Sequence, residues 1–184
     1  DVWDIIVAGA SIYFRTNHSI FIYEQGRFSI TPSIQAIQSM FAAGEKVLIQ
    51  SGPDTLKHII NGRLEPFLTI PGLISAITGA MPIHPDTVLI SSLKDGLFWL
   101  SGCNAGHWIT PADASLKEKS IYSSTLLKNG RLALGTSLDG LIILDSDRRV
   151  IMHLHKKNGL QNNNILNTFC DRSGNVWLGL DNGI

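Results

Sequence analysis

The feature that most constrains this chain is an internal repeat. Five stretches share one shape: apolar-x-apolar, a small or polar residue, a turn, then an apolar residue. They are "SIYFRTNHSIF" from Ser11, "KVLIQSGPDTL" from Lys46, "TVLISSLKDGL" from Thr87, "RLALGTSLDGL" from Arg131 and "GNVWLGLDNGI" from Gly174. Their anchor residues, Ile12, Val47, Val88, Leu132 and Val176, lie 35, 41, 44 and 44 positions apart. A second set of apolar residues precedes the anchors by 10 to 14 positions: Val2, Ile34, Ile74, Ile121 and Ile165. Each of these is expected to open a further short strand. A fixed period of this length is the mark of an array built from one supersecondary unit.

Within a unit the apolar runs are short, rich in Ile, Leu and Val, and bounded by Gly, Asp or Asn, as in "IYSSTLL", "RLALGT", "GLIILD" and "RVIMHLHK". "KNG" at 128–130 and "DG" at 139–140 suit tight hairpins, because Gly adopts positive φ freely and Asn and Asp tolerate it. No segment sustains a helical apolar period over 12 residues. "TPSIQAIQSMFAAG" (31–44) comes nearest, and its place in the repeat assigns it to strand. Four antiparallel strands per ~40–45 residues make the blade of a β-propeller. The fold expected is therefore all-β: about four four-stranded antiparallel blades plus the first half of a fifth. The blade boundaries expected are 1–33, 34–72, 73–119, 120–160 and a partial blade 161–184, all in one partial propeller domain. Leucine-rich and β-helix repeats have shorter periods, and an immunoglobulin-like sandwich has no reason to repeat internally.

Composition narrows the partners. Lys and Arg number 15 and Asp and Glu number 15, so the formal charge is zero. Nucleic acid or an anionic membrane as main partner would call for a basic excess. The longest apolar run, Ile5 to Phe14, is too short for a bilayer, which takes roughly 20 residues. The two cysteines, Cys103 and Cys170, fall in different units and are expected to stay apart.

The last unit, "NGLQNNNILNTFCDRSGNVWLGLDNGI" (158–184), resembles the two-component regulator propeller repeat. Gly159-Leu160, the Asn-rich linker, Asp171, Gly174, Val176-Trp177-Leu178-Gly179 and Asn182-Gly183-Ile184 fill that repeat's places, with Leu180 where the family carries Thr. The unit at Leu132 keeps Gly135-Thr136 but has Ala133 for Trp. The first unit keeps an aromatic at Tyr13 and Thr16 but has Arg15 for Gly. The resemblance implies that Trp177 stacks between blades and that the Gly after it, Gly179, permits close approach. It also implies an extracytoplasmic, periplasmic sensor of a hybrid two-component system, detecting a carbohydrate and signalling to a histidine kinase outside this chain. The parent would be membrane-anchored, its remaining blades would be partners, and a homodimer is a further candidate assembly. The ring is expected to be completed by sequence outside this chain or by a partner copy, or to stay open.

His153 and His155 stand two apart and share a strand face, but beside Lys156 and Lys157 they read as solvent-facing residues of an outer strand. Asp54, Asp95, Asp139 and Asp181 recur at one repeat position, where a hairpin needs Asp before Gly. No metal site and no cofactor is expected. No Gly-x-Ser-x-Gly elbow exists, and the chain is not expected to be an enzyme; a propeller lyase or hydrolase, or a protein-interaction scaffold, are the rival readings. Propellers bind ligands on one face, so Arg15, His18, Lys94 and Asp95, from the turns joining second to third strands, are the candidate ligand-binding residues.

Overall fold

The computed structural model describes residues 1–183, apart from the side chain of Ser115. Four four-stranded antiparallel sheets and one two-stranded sheet follow one another along the chain. The first sheet is β1 (Asp4–Ala8), β2 (Ser11–Arg15), β3 (Ser19–Glu24) and β4 (Arg27–Pro32). The second is β5 (Ile37–Ala43), β6 (Lys46–Ser51), β7 (Thr55–Ile60) and β8 (Arg63–Thr69). The third is β9 (Ile77–His84), β10 (Thr87–Ser92), β11 (Leu97–Ser101) and β12 (Asn104–His107). The fourth is β13 (Ile121–Leu126), β14 (Leu132–Thr136), β15 (Leu141–Leu144) and β16 (Val150–Leu154). The pair β17 (Ile165–Cys170) and β18 (Val176–Leu180) closes the series. Every sheet is a simple meander, and the first strands β1, β5, β9, β13 and β17 contact one another in sequence. They form the inner edge around which the sheets fan out, which is the arrangement of propeller blades.

Alternation along the second strands makes the stack. Val47 and Ile49 face back into the core shared with the first sheet, which holds Ile20 and Tyr13. Leu48, between them, faces forward into the next core with Ile77, Val88 and Ile90. Leu89 then faces Ile121, Leu132 and Leu134. Ala133 faces Ile165, with Leu178 and Leu180 packed alongside. Each middle sheet is thus covered on both faces, which is why "VLI" and "LAL" read as continuous apolar runs. Complete burial of one such leucine stabilises by ~1.5–3 kcal/mol.

The anchors Ile12, Val47, Val88, Leu132 and Val176 all fall at the start of second strands. The strand openers need correction. Ile121 and Ile165 do begin β13 and β17, but Val2, Ile34 and Ile74 lie outside the strands and are exposed, Ile34 completely. The strands begin three residues later at Ile37 and Ile77, and two residues after Val2 at Asp4. In the pairs Ile34–Ile37 and Ile74–Ile77 it is the second isoleucine that is buried.

Two features lay outside the reading of the sequence. The first strands β5, β9, β13 and β17 each carry a register shift after their opening residue, between Ile37 and Ser39, Ile77 and Gly79, Ile121 and Ser123, and Ile165 and Asn167. Such a bulge bends the strand and increases its twist. The second is a seven-residue helix, α1 (Asp113–Lys119), between the third and fourth sheets. It is anchored by Leu116, which is fully buried in the core those sheets share. Seven residues are too few to display a helical period.

Candidate ligand-binding face

The turns joining second to third strands lie on the same face as the connections between sheets, because each sheet is a four-stranded meander. On this face, sheet is tied to connection by a recurring set of hydrogen bonds. The carbonyl of each turn is capped by the end of its own sheet: Ser33 N–H donates to the His18 carbonyl and Ile70 N–H to that of Asp54, each at 2.8 Å. In the third and fourth sheets a histidine ring takes this place. His107 Nε2 lies 3.1 Å from the Asp95 carbonyl and His153 Nε2 lies 2.7 Å from that of Asp139. His153 is therefore half-buried against a turn and not simply solvent-facing. Its ring also meets that of His155 edge-on, with centroids 5.1 Å apart.

The recurring aspartates reach the connection that enters their own sheet. Asp95 Oδ2 accepts from the amides of Ile74 (2.9 Å) and Ser75 (2.7 Å) and from the Ser75 hydroxyl (2.6 Å). Asp139 pairs with Lys119 and lies 3.0 Å from His153. Asp181 accepts from Asn164 Nδ2 at 2.7 Å. Asp54 accepts locally, from the Thr55 hydroxyl. These acids are dispersed among separate turns, and among the described residues no three of His, Cys, Asp and Glu converge as metal ligands would. Burial alone would raise the Asp95 pKa. The Ser75 hydroxyl and amide, the Ile74 amide and the charge of Lys117 outweigh it, and the carboxyl titrates below its ordinary range.

The four candidate residues part company here. Arg15 ends β2 and is buried. Its guanidinium pairs with Asp4 and donates to the Ile37 carbonyl at 2.8 Å, so it ties the first sheet to the second. His18 is exposed at the β2–β3 turn. Lys94 and Asp95 sit together in the β10–β11 turn, where they line a hollow of about 300 Å³ with Pro71, Gly72, His107 and Lys117. Lys117, delivered by α1, was not foreseen, because the helix that carries it was not. A larger groove of about 570 Å³ opens on the opposite face between the second and third sheets, floored by Leu48, Phe67, Val88 and Leu100.

Trp177 sits at the strand position that faces the next sheet elsewhere in the chain. It lies half-exposed on the outer face of β17–β18, across from exposed Phe169, and its indole N–H donates to Asp171 Oδ2 at 3.0 Å. The equivalent positions in earlier sheets, Tyr13, Leu48, Leu89 and Ala133, face the following sheet. Cys103 and Cys170 are both free thiols. Among the described residues no helix is long and apolar enough to cross a membrane.

Comparison with known proteins places this geometry. Residues 159–182 match the family model described as two component regulator propeller. Ile184, the end of the motif read from the sequence, lies outside the described residues. No curated protein matches the chain. Among solved structures, the extracellular domain of a putative one-component system of B. thetaiotaomicron is 21% identical with a TM-score of 0.78, over 100% of this chain and 26% of that one. The extracellular domain of a putative hybrid two-component system of the same organism is 16% identical, with a TM-score of 0.77, over 97% and 25%. The WD40 β-propeller domain of Doa1 is 12% identical with a TM-score of 0.71, over 99% and 61%. The chain thus spans about a quarter of the two bacterial domains. The fold is a run of β-propeller blades, and its last unit, residues 159–182, matches the two-component regulator propeller repeat.

Proposed function

We propose that this chain is part of the periplasmic, ligand-sensing propeller of a two-component regulatory protein. The repeat match at residues 159–182 carries the reading. The extracellular bacterial domains of similar fold support it. The ligand is a carbohydrate, and the signal passes to a histidine kinase elsewhere in a membrane-anchored parent. The chain itself performs no catalysis. Sensing works by differential affinity: a ligand shifts the balance between two arrangements only as far as it binds one better than the other. The blades divide as 1–33, 34–72, 73–119, 120–160 and 161–184, and further blades of the parent pack against the two exposed sheet faces. A homodimer of parents is the assembly through which occupancy is read.

A thermal-shift and glycan-array screen of the parent's extracytoplasmic region tests this. Stabilisation by a glycan that is recovered unchanged is the expected result. Turnover of the glycan by the purified region would overturn the sensor reading in favour of a lyase or hydrolase.

A further inference from the structure

We propose that the hollow beside α1 binds the carboxylate of an acidic sugar, a uronic-acid unit, through Lys94 and Lys117. The proposal rests on the carbohydrate reading above and narrows it to a charged class and to one place.

Comparison of the third and fourth sheets makes the argument. Gly96 and Gly140 occupy the same repeat position, each with positive φ in the turn before the third strand. In the fourth sheet this place is filled. A Cβ on Gly140 would lie 2.0 Å from the Leu154 carbonyl oxygen and 3.0 Å from Leu160, and the nearby Lys119 is paired with Asp139. In the third sheet, the nearest atoms to a Cβ on Gly96 would be those of the His107 ring at 3.3 Å and the Lys117 side chain at 3.9 Å. The space beyond them remains open as the hollow of about 300 Å³. That volume is at the lower end for a small-molecule site.

Its lining is chemically lopsided. Two ammonium groups, from Lys94 and Lys117, stand against the single carboxylate of Asp95. Neither lysine forms a salt bridge among the described residues, in contrast to Lys119 two positions along the same helix. Asp95 is held in place by its three bonds from Ile74 and Ser75, all to Oδ2, so Oδ1 is the oxygen that can accept from a ligand hydroxyl. His107 is fixed between the Asp95 carbonyl, 3.1 Å away, and Asp113 Oδ2, 3.6 Å away. Pro71 and Gly72 supply a wall without polar side chains. An excess cation beside a fixed acceptor suits a ligand that joins a carboxylate to hydroxyls. A neutral sugar leaves the ammonium charge unmatched, and a bare anion leaves Asp95 unused.

The test is a titration of the 184-residue chain followed by NMR, with glucuronate, glucose and acetate as probes. Glucuronate is expected to produce saturable shifts in the backbone amides of Gly72 and Gly96. Glucose and acetate should each bind at least fivefold more weakly. Lys94→Gln and Lys117→Gln should each weaken glucuronate about fivefold while leaving the thermal melt in place, since both residues are exposed. Equal binding of glucose and glucuronate, equal binding of acetate, or indifference to both substitutions would overturn the inference. Silence at Gly72 and Gly96, with a neutral glycan binding elsewhere on the parent, would overturn it and leave the sensor reading standing. No response to any glycan anywhere would overturn both.

Discussion

One position of the repeat, directly after the apolar-x-apolar core of the second strand, explains much of how the sheets are joined. In order it holds Arg15, Gln50, Ser91, Gly135 and Gly179. Arg15 reaches the Ile37 carbonyl of the next sheet. Gln50, fully buried, accepts from Ile77 N–H at 2.8 Å and from Ser39, and donates to the carbonyls of Pro53 and Ser75. Ser91 bonds Ser124 of the following sheet, the two hydroxyls being 2.7 Å apart. At Gly135 no side chain is needed, because the next strand comes to the backbone: a Cβ there would lie 2.7 Å from Ile165. The same junction is thus made by a long polar side chain or by close approach. Arg15→Ala removes the first tie, taking a charged donor from the Ile37 carbonyl in a buried site, at a cost of about 2 kcal/mol in a urea melt. Arg15 stood out in the sequence because it replaced a glycine, and it was read there as a ligand-binding candidate; its guanidinium is instead spent on the junction between sheets. Its meaning needed the structure, since sequence does not tell a donor aimed at a neighbouring blade from one aimed at solvent.

Asp171 is a second case at this scale. The Trp177 indole N–H, then the Asn175 side-chain amide, with the backbone amides of Asn175 and Ser173, hold its carboxyl well below the usual carboxylate range. The folded pKa is depressed. The group's contribution is therefore complete above the ordinary value, near 3.9, and disappears as pH falls from there toward the folded value. In an NMR titration Asp171 should stay ionised at a pH where an ordinary aspartate is protonated. Trp177→Phe should move its midpoint upward, toward the ordinary value.

At the scale of elements, the second strands were the most legible, because covered faces on both sides demand three consecutive apolar residues and a Gly or Asp turn follows. Three of the five first strands were read with their starts displaced. An apolar residue exposed in a connection, such as Ile34 or Ile74, looks the same in sequence as one that opens a strand. The bulges left no readable mark, since Gln38, Thr78, Tyr122 and Leu166 share no side-chain type at the skipped position. The helix α1 was invisible for want of length, and with it half of the lysine pair at the hollow. Its worth to the fold is concentrated in one residue. Leu116→Ala should destabilise the chain by ~2–5 kcal/mol, measured by thermal or urea unfolding, because the side chain is completely enclosed between two sheets.

For the molecule as a whole, the two end faces matter most. The first sheet turns Ile5, Val7, Phe28 and Ile30 outward, each more than half exposed, and the last pair of strands turns out Phe169 and Trp177. In every interior junction the corresponding surfaces are covered by a neighbouring sheet. Apolar surface of this kind favours association. The 184-residue chain in dilute buffer should show mass rising with concentration in light scattering. Replacing Ile5, Val7, Phe28 and Ile30 with threonine should suppress that rise while leaving the far-ultraviolet strand signal in place, because those side chains contribute to no interior core.

The ties between each turn and its connection also fix how the chain bears tension. Asp95 to Ser75, Asp139 to Lys119 and Asp181 to Asn164 each join points about twenty residues apart along the backbone, and each lies beyond the last in the direction of pull. Stretched from its two ends in an optical trap, such a chain should not lengthen smoothly. It should yield in discrete steps, each releasing one sheet of ~40 residues and roughly 130 Å of slack. An acidic sugar seated at the hollow would raise the force of the one step that opens the third sheet.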